Sequence, residues 1–356
     1  MSKEIRKNST GVGGGVYGDE GKGAKTDKSA TQYVSENYSL INYGVNGGAN
    51  AGHTVEFGNI RIALHQLPGA ACVDGATIIL GKGKVLHPAD LINEIEEVKN
   101  VSNNVIKTSI KIDASATLAL DTHRAYENVL KERNSGSKGA TGRGISPAYS
   151  DILLRHPLRM RDLTNGDYDS FAKHYRFYSD QISGLGFDMA NMKVATGKKG
   201  NFINVGSEKE FIDRLKATKG ILEPLTHDVY DFMKETWSNP SKYAYIFEMA
   251  QAVGLDARWG VYPDVTASDT TFAAINASTD GIVDYKNIEH RIGVIKATYM
   301  SSVGSRRLPT EMIGDDAYLA KQIRDDAHER GATTGRDRDI AFLDFSSMTF
   351  EVILFI

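Results

Sequence analysis

The sequence predicts an α/β chain, and three observations carry that prediction. Short apolar runs alternate with amphipathic stretches, two glycine-rich loops carry charged residues, and 356 residues with 41% hydrophobic content suffice for a sizeable core. That length fits one large α/β domain or two smaller ones. A formal net charge of -3 argues against a general nucleic-acid binder. The single Cys72 excludes an internal disulfide and suits a reducing cytoplasm. Residues 1–7 lack the apolar core of a signal peptide, and no run approaches the roughly 20 apolar residues of a membrane span, so neither nucleic acid nor membrane is an expected partner.

The first loop, residues 11–23, reads Gly-Val-Gly-Gly-Gly-Val-Tyr-Gly-Asp-Glu-Gly-Lys-Gly. Glycine admits positive φ and lets backbone N–H groups approach an anion, so the loop reads as a phosphate cradle with Lys22 as its point charge. Two generic motifs do not fit. Lys22 is followed by Gly23 and Ala24, which leaves no hydroxyl where a Walker loop places one for magnesium. Residues 3–10 are polar where a buried strand should lead into a dinucleotide-binding turn.

Residues 38–43 and 60–64 read as strands flanking the second loop, Gly47-Gly48-Ala49-Asn50-Ala51-Gly52-His53-Thr54. Residues 76–80 form a continuous apolar run, a buried strand ended by Gly81-Lys82-Gly83. Pro88 opens a helix over 88–99 with Leu91, Ile92, Ile95 and Val98 on one face. A second helical pattern covers 115–132 and runs into a Gly, Ser and basic stretch at 134–144 that composition alone assigns to a linker. Helical patterns at 170–182, 207–216 and 227–237 make 167–236 mainly helical, with its Tyr and Phe assigned to packing. Residues 243–247 read as a strand, and 248–251 at its C-terminal end lie where open α/β sheets place ligand groups. Residues 291–299 read as another strand, 315–330 as a helix and 352–356 as a buried strand. No internal repeat or clear domain boundary is visible.

Read together, Gly18-Asp19-Glu20-Gly21-Lys22-Gly23 and Asn50-Ala51-Gly52-His53-Thr54 resemble the GDEGKG and NAGHT loops of adenylosuccinate synthetases, ligases that join aspartate to a 6-oxopurine nucleotide. Ordered matches continue down the chain. Residues 140–149 (ATGRGISPAY) resemble TTGRGIGPAY, 247–251 (FEMAQ) FEGAQ, 262–266 (YPDVT) YPYVT, 308–311 (LPTE) FPTE, and 331–336 (GATTGR) GATTGR. The resemblance implies one domain over residues 1–356, with a central, mostly parallel twisted sheet, flanking helices, a P-loop-like first turn and a mainly helical insertion around 167–236.

It also implies the chemistry. Oxide is a poor leaving group from C6 of a purine, so the oxygen is first phosphorylated, and a carboxylate must take the N1 proton to make it nucleophilic. Asp19 matches that base, His53 the acid beside the transferring phosphoryl, and Lys22 with the loop N–H groups balances its charge. Mg2+ is the implied cofactor, with Asp19 and the carbonyl of Gly52 as its ligands. Gly18, Glu20, Gly21, Gly23, Asn50, Ala51, Thr54, Thr141, Gln251 and Thr266 match nucleotide- and phosphate-contacting positions. Arg155 matches an arginine that reaches the same phosphate from a neighbouring subunit, which implies a homodimer. Thr333, Thr334, Arg336 and Arg338 fall in the loop that receives L-aspartate, where an arginine fork suits a carboxylate. Without the resemblance, Arg336-Asp337-Arg338-Asp339 reads as a solvated charge cluster.

Departures from the family pattern shape the substrate expectation. Arg336-Asp337-Arg338-Asp339 stands where four arginines are usual, Ala49 replaces a frequent polar residue, and Ala24 a frequent lysine or serine. Ordinary members continue past the segment matching 342–344 into a guanine-recognising TKxD motif that the sequence to Ile356 does not contain. The expectation is therefore a relative of the short phage 2-aminoadenylosuccinate synthetases, acting on dGMP with L-aspartate and ATP or dATP, in a host cytoplasm. Some phage members, however, replace the residue matching Asp19 by serine or glycine. An ordinary synthetase using IMP and GTP is the alternative, and an inactive nucleotide-binding interaction protein is an alternative of another class. Retention of Asp19, Lys22, His53 and Arg336 together counts against the last.

Overall fold

A computed structural model describes residues 4–57, 60–103, 105–133, 141–197, 201–302, 308, 310–330 and 337–345. β1 (Arg6–Gly14) leads through the glycine turn into α1 (Lys22–Ser35). β2 (Ser39–Gly44), β3 (Gly47–Gly48), β4 (His53–Phe57), β5 (Ile60–Leu64), β6 (Thr77–Leu80) and β7 (Lys84–Leu86) follow. Then come α2 (Pro88–Val101), β8 (Ser109–Asp113), β9 (Thr117–Leu118), α3 (Asp121–Arg133), α4 (Ile145–Leu154), α5 (Met160–Asn165) and α6 (Tyr168–Gly184). The hairpin β10 (Lys193–Ala195) and β11 (Phe202–Asn204) precedes α7 (Glu208–Leu222), β12 (Thr226–His227), α8 (Tyr230–Trp237) and β13 (Tyr243–Glu248). The described chain ends through α9 (Ala273–Ser278), β14 (Ile288–Val294), β15 (Met300–Ser302), α10 (Ala317–Asp326) and β16 (Asp339–Ala341).

Seven strands form the central sheet in the order β12-β8-β6-β2-β13-β1-β14. Every neighbouring pair in it is parallel. Alternate residues of the same strands feed two cores. Leu40, Ile78, Leu80, Ala244 and Ile246 pack on one face with α2, α3 and α6, while Ile41, Tyr43, Ile79, Tyr245 and Phe247 pack on the other. Burial on both faces is what makes parallel strands read as continuous apolar runs, and it explains why β6 and β13 were plain in the sequence.

β1 corrects the reading of residues 3–10. The polar run is a buried strand between β13 and β14, with Ser9 opposite Tyr245 and Gly11 opposite Phe247. Its polar side chains are satisfied rather than hydrated. Arg6 lies over the rings of Trp237 and Tyr245 and donates to the Tyr243 carbonyl at 2.7 Å. Ser9 Oγ donates to the Arg6 carbonyl at 2.5 Å, and Thr10 Oγ1 lies 2.8 Å from Tyr33 Oη. Gly11 to Gly14 thus belong to the strand, and the turn that follows is shorter than the glycine run suggested.

Two other bounds move. The helix expected from residue 115 starts at Asp121, because Thr117 and Leu118 pair with β7 instead. The strand expected over 291–299 is β14, which ends at Val294. Within 167–236, α6 and α7 bury Phe171, Tyr175, Tyr178 and Phe211, and β12 extends the main sheet beside β8. The segment 352–356, a strand by composition and a helix by the family resemblance, lies outside the described residues. Among the described residues, no helix is long and apolar enough to cross a membrane.

Candidate active site

The turn after β1 is tightly drawn. A Cβ on Gly14 would lie 2.5 Å from the Gln251 carbonyl and from Glu20 Oε2, so only glycine fits. Gly18, Asp19 and Gly21 all take positive φ, 90°, 60° and 91°. Glu20 closes the turn by accepting from Val16 N at 3.0 Å and Gly18 N at 2.8 Å through Oε1. Its Oε2 lies 3.3 Å from the buried Nζ of Lys22, the first residue of α1. No side chain caps α1, so its first N–H groups remain available to an anion beside that ammonium.

Asp19 projects from this turn and forms an ion pair with the Nη2 of Arg338. The solvated charge cluster expected around Arg338 is therefore corrected: Arg338 is buried, whereas Asp337 is exposed and pairs with Arg330 at 3.0 Å. Beside Asp19, a cleft is lined by Val16, Glu20, Ile295, Lys296, Tyr299 and Ser301. Glu329 is its hub, paired with Lys296 and accepting from Tyr299 Oη at 2.5 Å and Ser301 Oγ at 3.0 Å. Burial, followed by the hydrogen bond to Glu329, raises the Tyr299 phenol above its ordinary range.

The second glycine loop reaches the same region from β2. Asn46 ties it to the segment after β13, accepting from Ala250 N at 2.7 Å and donating to the Asp269 carbonyl at 2.8 Å. Tyr149 of α4 accepts from Gly47 N at 3.0 Å and donates to the Gly83 carbonyl at 2.7 Å. Asn50 Oδ1 accepts from Gly48 N at 3.2 Å, and Ala51 N donates back to the Gly48 carbonyl at 3.0 Å. Gly52 is exposed at the loop end; His53 and Thr54 open β4, and their side chains lie outside the described set. Gln251 sits at φ 59° with a buried Oε1 that has no hydrogen-bond partner among the described residues, an acceptor suited to a ligand donor. Thr266 is anchored through its N–H to the Leu255 carbonyl at 2.7 Å.

Thr141 enters on a third loop, partly exposed, between α3 and α4. The buried Glu127 accepts from Gly144 N at 3.0 Å, and burial raises its pKa. Asp90 locks the loop to its neighbours, accepting from Arg124 at 2.6 Å, Arg143 at 3.3 Å and Gly197 N at 2.7 Å. His87 and the Arg124 guanidinium hold Asp90 far below the ordinary carboxylate range despite its burial. From this loop α4 leads away to Arg155, which is exposed at φ 67°. Ile152, Leu153 and Leu154 are exposed beside it, at 36%, 83% and 61%.

The structure thus draws the first turn, the second loop, Gln251 and Arg338 together, while Arg155 is exposed at the far end of α4. Thr333, Thr334 and Arg336 lie outside the described residues. Sequence reasoning missed Asn46, Tyr149, Lys296, Tyr299 and Glu329; Tyr149 alone lay inside a quoted motif. A separate buried group, His123, Asp151 and His174, brings its ligand atoms within 4.8 Å of one another. His123 Nδ1 accepts from Leu120 N at 2.9 Å, so its Nε2 carries the proton donated to Asp151 at 2.9 Å, and no lone pair is left for a metal.

The adenylosuccinate synthetase family model matches residues 12–353. The adenylosuccinate synthetase of Thermoplasma volcanium is 34% identical over 342 residues, 94% of this chain and 70% of that one. That of Clostridium botulinum strain Alaska E43 is 32% identical, over 93% and 71%. Among solved structures, the fully ligated adenylosuccinate synthetase of Plasmodium falciparum superposes with a TM-score of 0.78 at 27% identity, over 98% of this chain and 74% of that one. The cyanophage S-2L succinoaminodeoxyadenylate synthetase, bound to dGMP and to dATP as energy donor, shares the fold at a TM-score of 0.61 and 16% identity, over 98% and 82%.

Proposed function

This chain belongs to the adenylosuccinate synthetase family, carbon–nitrogen ligases that join aspartate to a purine nucleotide, and from that membership we propose that it couples L-aspartate to C6 of IMP. One observation carries the reading: a carboxylate, Asp19, projects from a turn whose following helix offers uncapped N–H groups and a buried lysine. Asp19 takes the N1 proton, O6 attacks the γ-phosphorus of a nucleoside triphosphate, and the bond from γ-phosphorus to the bridging oxygen breaks. Lys22 and the first N–H groups of α1 carry the charge of the transferring phosphoryl, with His53 beside it. The amine of L-aspartate then attacks C6, phosphate leaves with the C–O electrons, and the amine proton is lost.

A carboxylate and backbone carbonyls are hard oxygen donors that suit Mg2+. Asp19 and the Gly52 carbonyl would hold it, and bound there it would supply positive charge against the phosphates. Thr141, Asn50, Gln251 and Thr266 receive the nucleotide, the unpartnered Oε1 of Gln251 supporting that role. Glu20, whose oxygens are occupied by its own turn, acts by shaping the loop. Gly18, Gly21, Gly23, Ala51 and Thr54 line the phosphate path. Arg338, with Thr333, Thr334 and Arg336, receives L-aspartate. Arg155 completes the phosphate site of a second copy, and the exposed Ile152, Leu153 and Leu154 support a homodimer through α4.

A second reading keeps the chemistry and changes the substrates to dGMP with ATP or dATP. The departures Ala49, Asp337 and Asp339 from the ordinary pattern, the last two of which thin the positive charge around bound anions, leave it open, whereas retention of Asp19 favours IMP. Phosphate release with magnesium and L-aspartate, crossing IMP and dGMP with GTP, ATP and dATP, separates them. Turnover with IMP is the expected result, and the triphosphate that supports it identifies the donor. Turnover only with dGMP and an adenine triphosphate would transfer the chain to the second reading, and no phosphate release from any pair would overturn both.

A further inference from the structure

Arg338 is 7% exposed, and its guanidinium nitrogens are unequally used. Nη2 donates to Asp19 Oδ2, and Nη1 lies 3.4 Å from the Ser302 carbonyl. Nε is buried and has no hydrogen-bond partner among the described residues. The backbone of Arg338 is pinned on both sides, its N–H donating to the Glu329 carbonyl at 2.9 Å and its carbonyl accepting from Arg324 Nε at 2.8 Å. A buried fork with one prong empty and the other held by a single carboxylate oxygen is an incomplete bidentate site.

We propose that Arg338 is a latch on Asp19, closed in the empty site and opened when a carboxylate of L-aspartate takes Nε and Nη2 together. The ion pair fixes the orientation of the Asp19 carboxylate, and turning that carboxylate to meet the purine N1–H breaks its contact with Arg338, so the two substrates become coupled. L-Aspartate releases Asp19 toward the nucleotide, and by reciprocity the nucleotide, by drawing Asp19 away, prepares Arg338 for L-aspartate. The step moves no covalent bond; one ion pair is exchanged for another. This rests on the assignment of Asp19 as the base that meets N1.

The test is calorimetric titration with IMP, and separately with dGMP, without any triphosphate, in the absence and presence of saturating L-aspartate. In the wild type, L-aspartate should tighten nucleotide binding by about tenfold. Arg338→Gln should bind nucleotide without L-aspartate about as tightly as the wild type does with it, and show no coupling. Arg338→Lys keeps a charge for Asp19 without the fork, so its aspartate-free affinity should stay at the wild-type level while coupling falls below about threefold. Wild-type affinity indifferent to L-aspartate, or weaker aspartate-free binding by Arg338→Gln, would overturn the latch alone. Absence of nucleotide binding under every condition would overturn the ligase reading with it.

Discussion

Asp19 occupies a left-handed backbone position on a turn that tolerates no extra atom at Gly14, so its carboxylate is aimed by the fold rather than by its own rotamer freedom. Asp19→Asn preserves shape and hydrogen-bond acceptance but not basicity. We expect turnover to fall a hundredfold or more, on the order of what a general base supplies, with the nucleotide Kd within a few-fold of wild type; steady-state phosphate release with parallel titration checks both. Lys84 is a different kind of residue. Its ammonium is buried near the Asn46 carbonyl, and burial depresses its pKa to about 8. Between pH 8 and the ordinary lysine range the unfolded chain binds more protons than the folded one, so this residue's penalty is full below pH 8 and fades as pH rises. Lys84→Met should therefore be more stable than wild type by roughly 1–3 kcal/mol at pH 7, with the gap narrowing toward pH 10 in denaturant titrations.

At the scale of elements, what the sequence showed depended on how each segment is buried. β6 and β13, apolar on both faces, were legible as strands, and α2 announced itself by Pro88 and a regular apolar face. β1 was not, because Arg6, Ser9 and Thr10 are buried by partners more than two hundred positions away or across a helix, which no local pattern encodes. The first glycine loop was legible as a turn, with Gly18 and Gly21 at positive φ, whereas the Glu329 hub was not legible, since Lys296, Tyr299 and Ser301 carry no motif. α4 runs from the Thr141 loop at its start to Arg155 at its end, two residues proposed to meet the same phosphate in different copies. Arg155→Ala should raise the KM for nucleotide by roughly tenfold or more, the scale of one charge-assisted hydrogen bond, with kcat less affected; an unchanged KM would remove Arg155 from the phosphate site.

For the whole molecule, the apolar end of α4 is the surface that the proposed dimer would bury. Leu153→Asp combined with Leu154→Asp places charges on already exposed positions, so the fold should survive while association fails. Sedimentation velocity should show a monomer, and specific activity should fall to a level that no increase in protein concentration restores; a dimeric, active double variant would place the interface elsewhere. The family and architecture emerged from ordered motifs along the chain, whereas the grouping of residues from four distant segments around Asp19 emerged only from the fold.

The position of β1 has one more consequence, for synthesis. It is made early yet sits between the last strands of the sheet: the residue opposite Ser9 is Tyr245, and its other neighbour, β14, begins at Ile288. At about 5–20 residues per second, the amino-terminal strand with its buried Arg6 waits roughly ten to fifty seconds after leaving the ribosome before either neighbour exists. During that interval its open edges are free to pair with other nascent chains, so the yield of active protein depends on what shelters this segment while translation finishes.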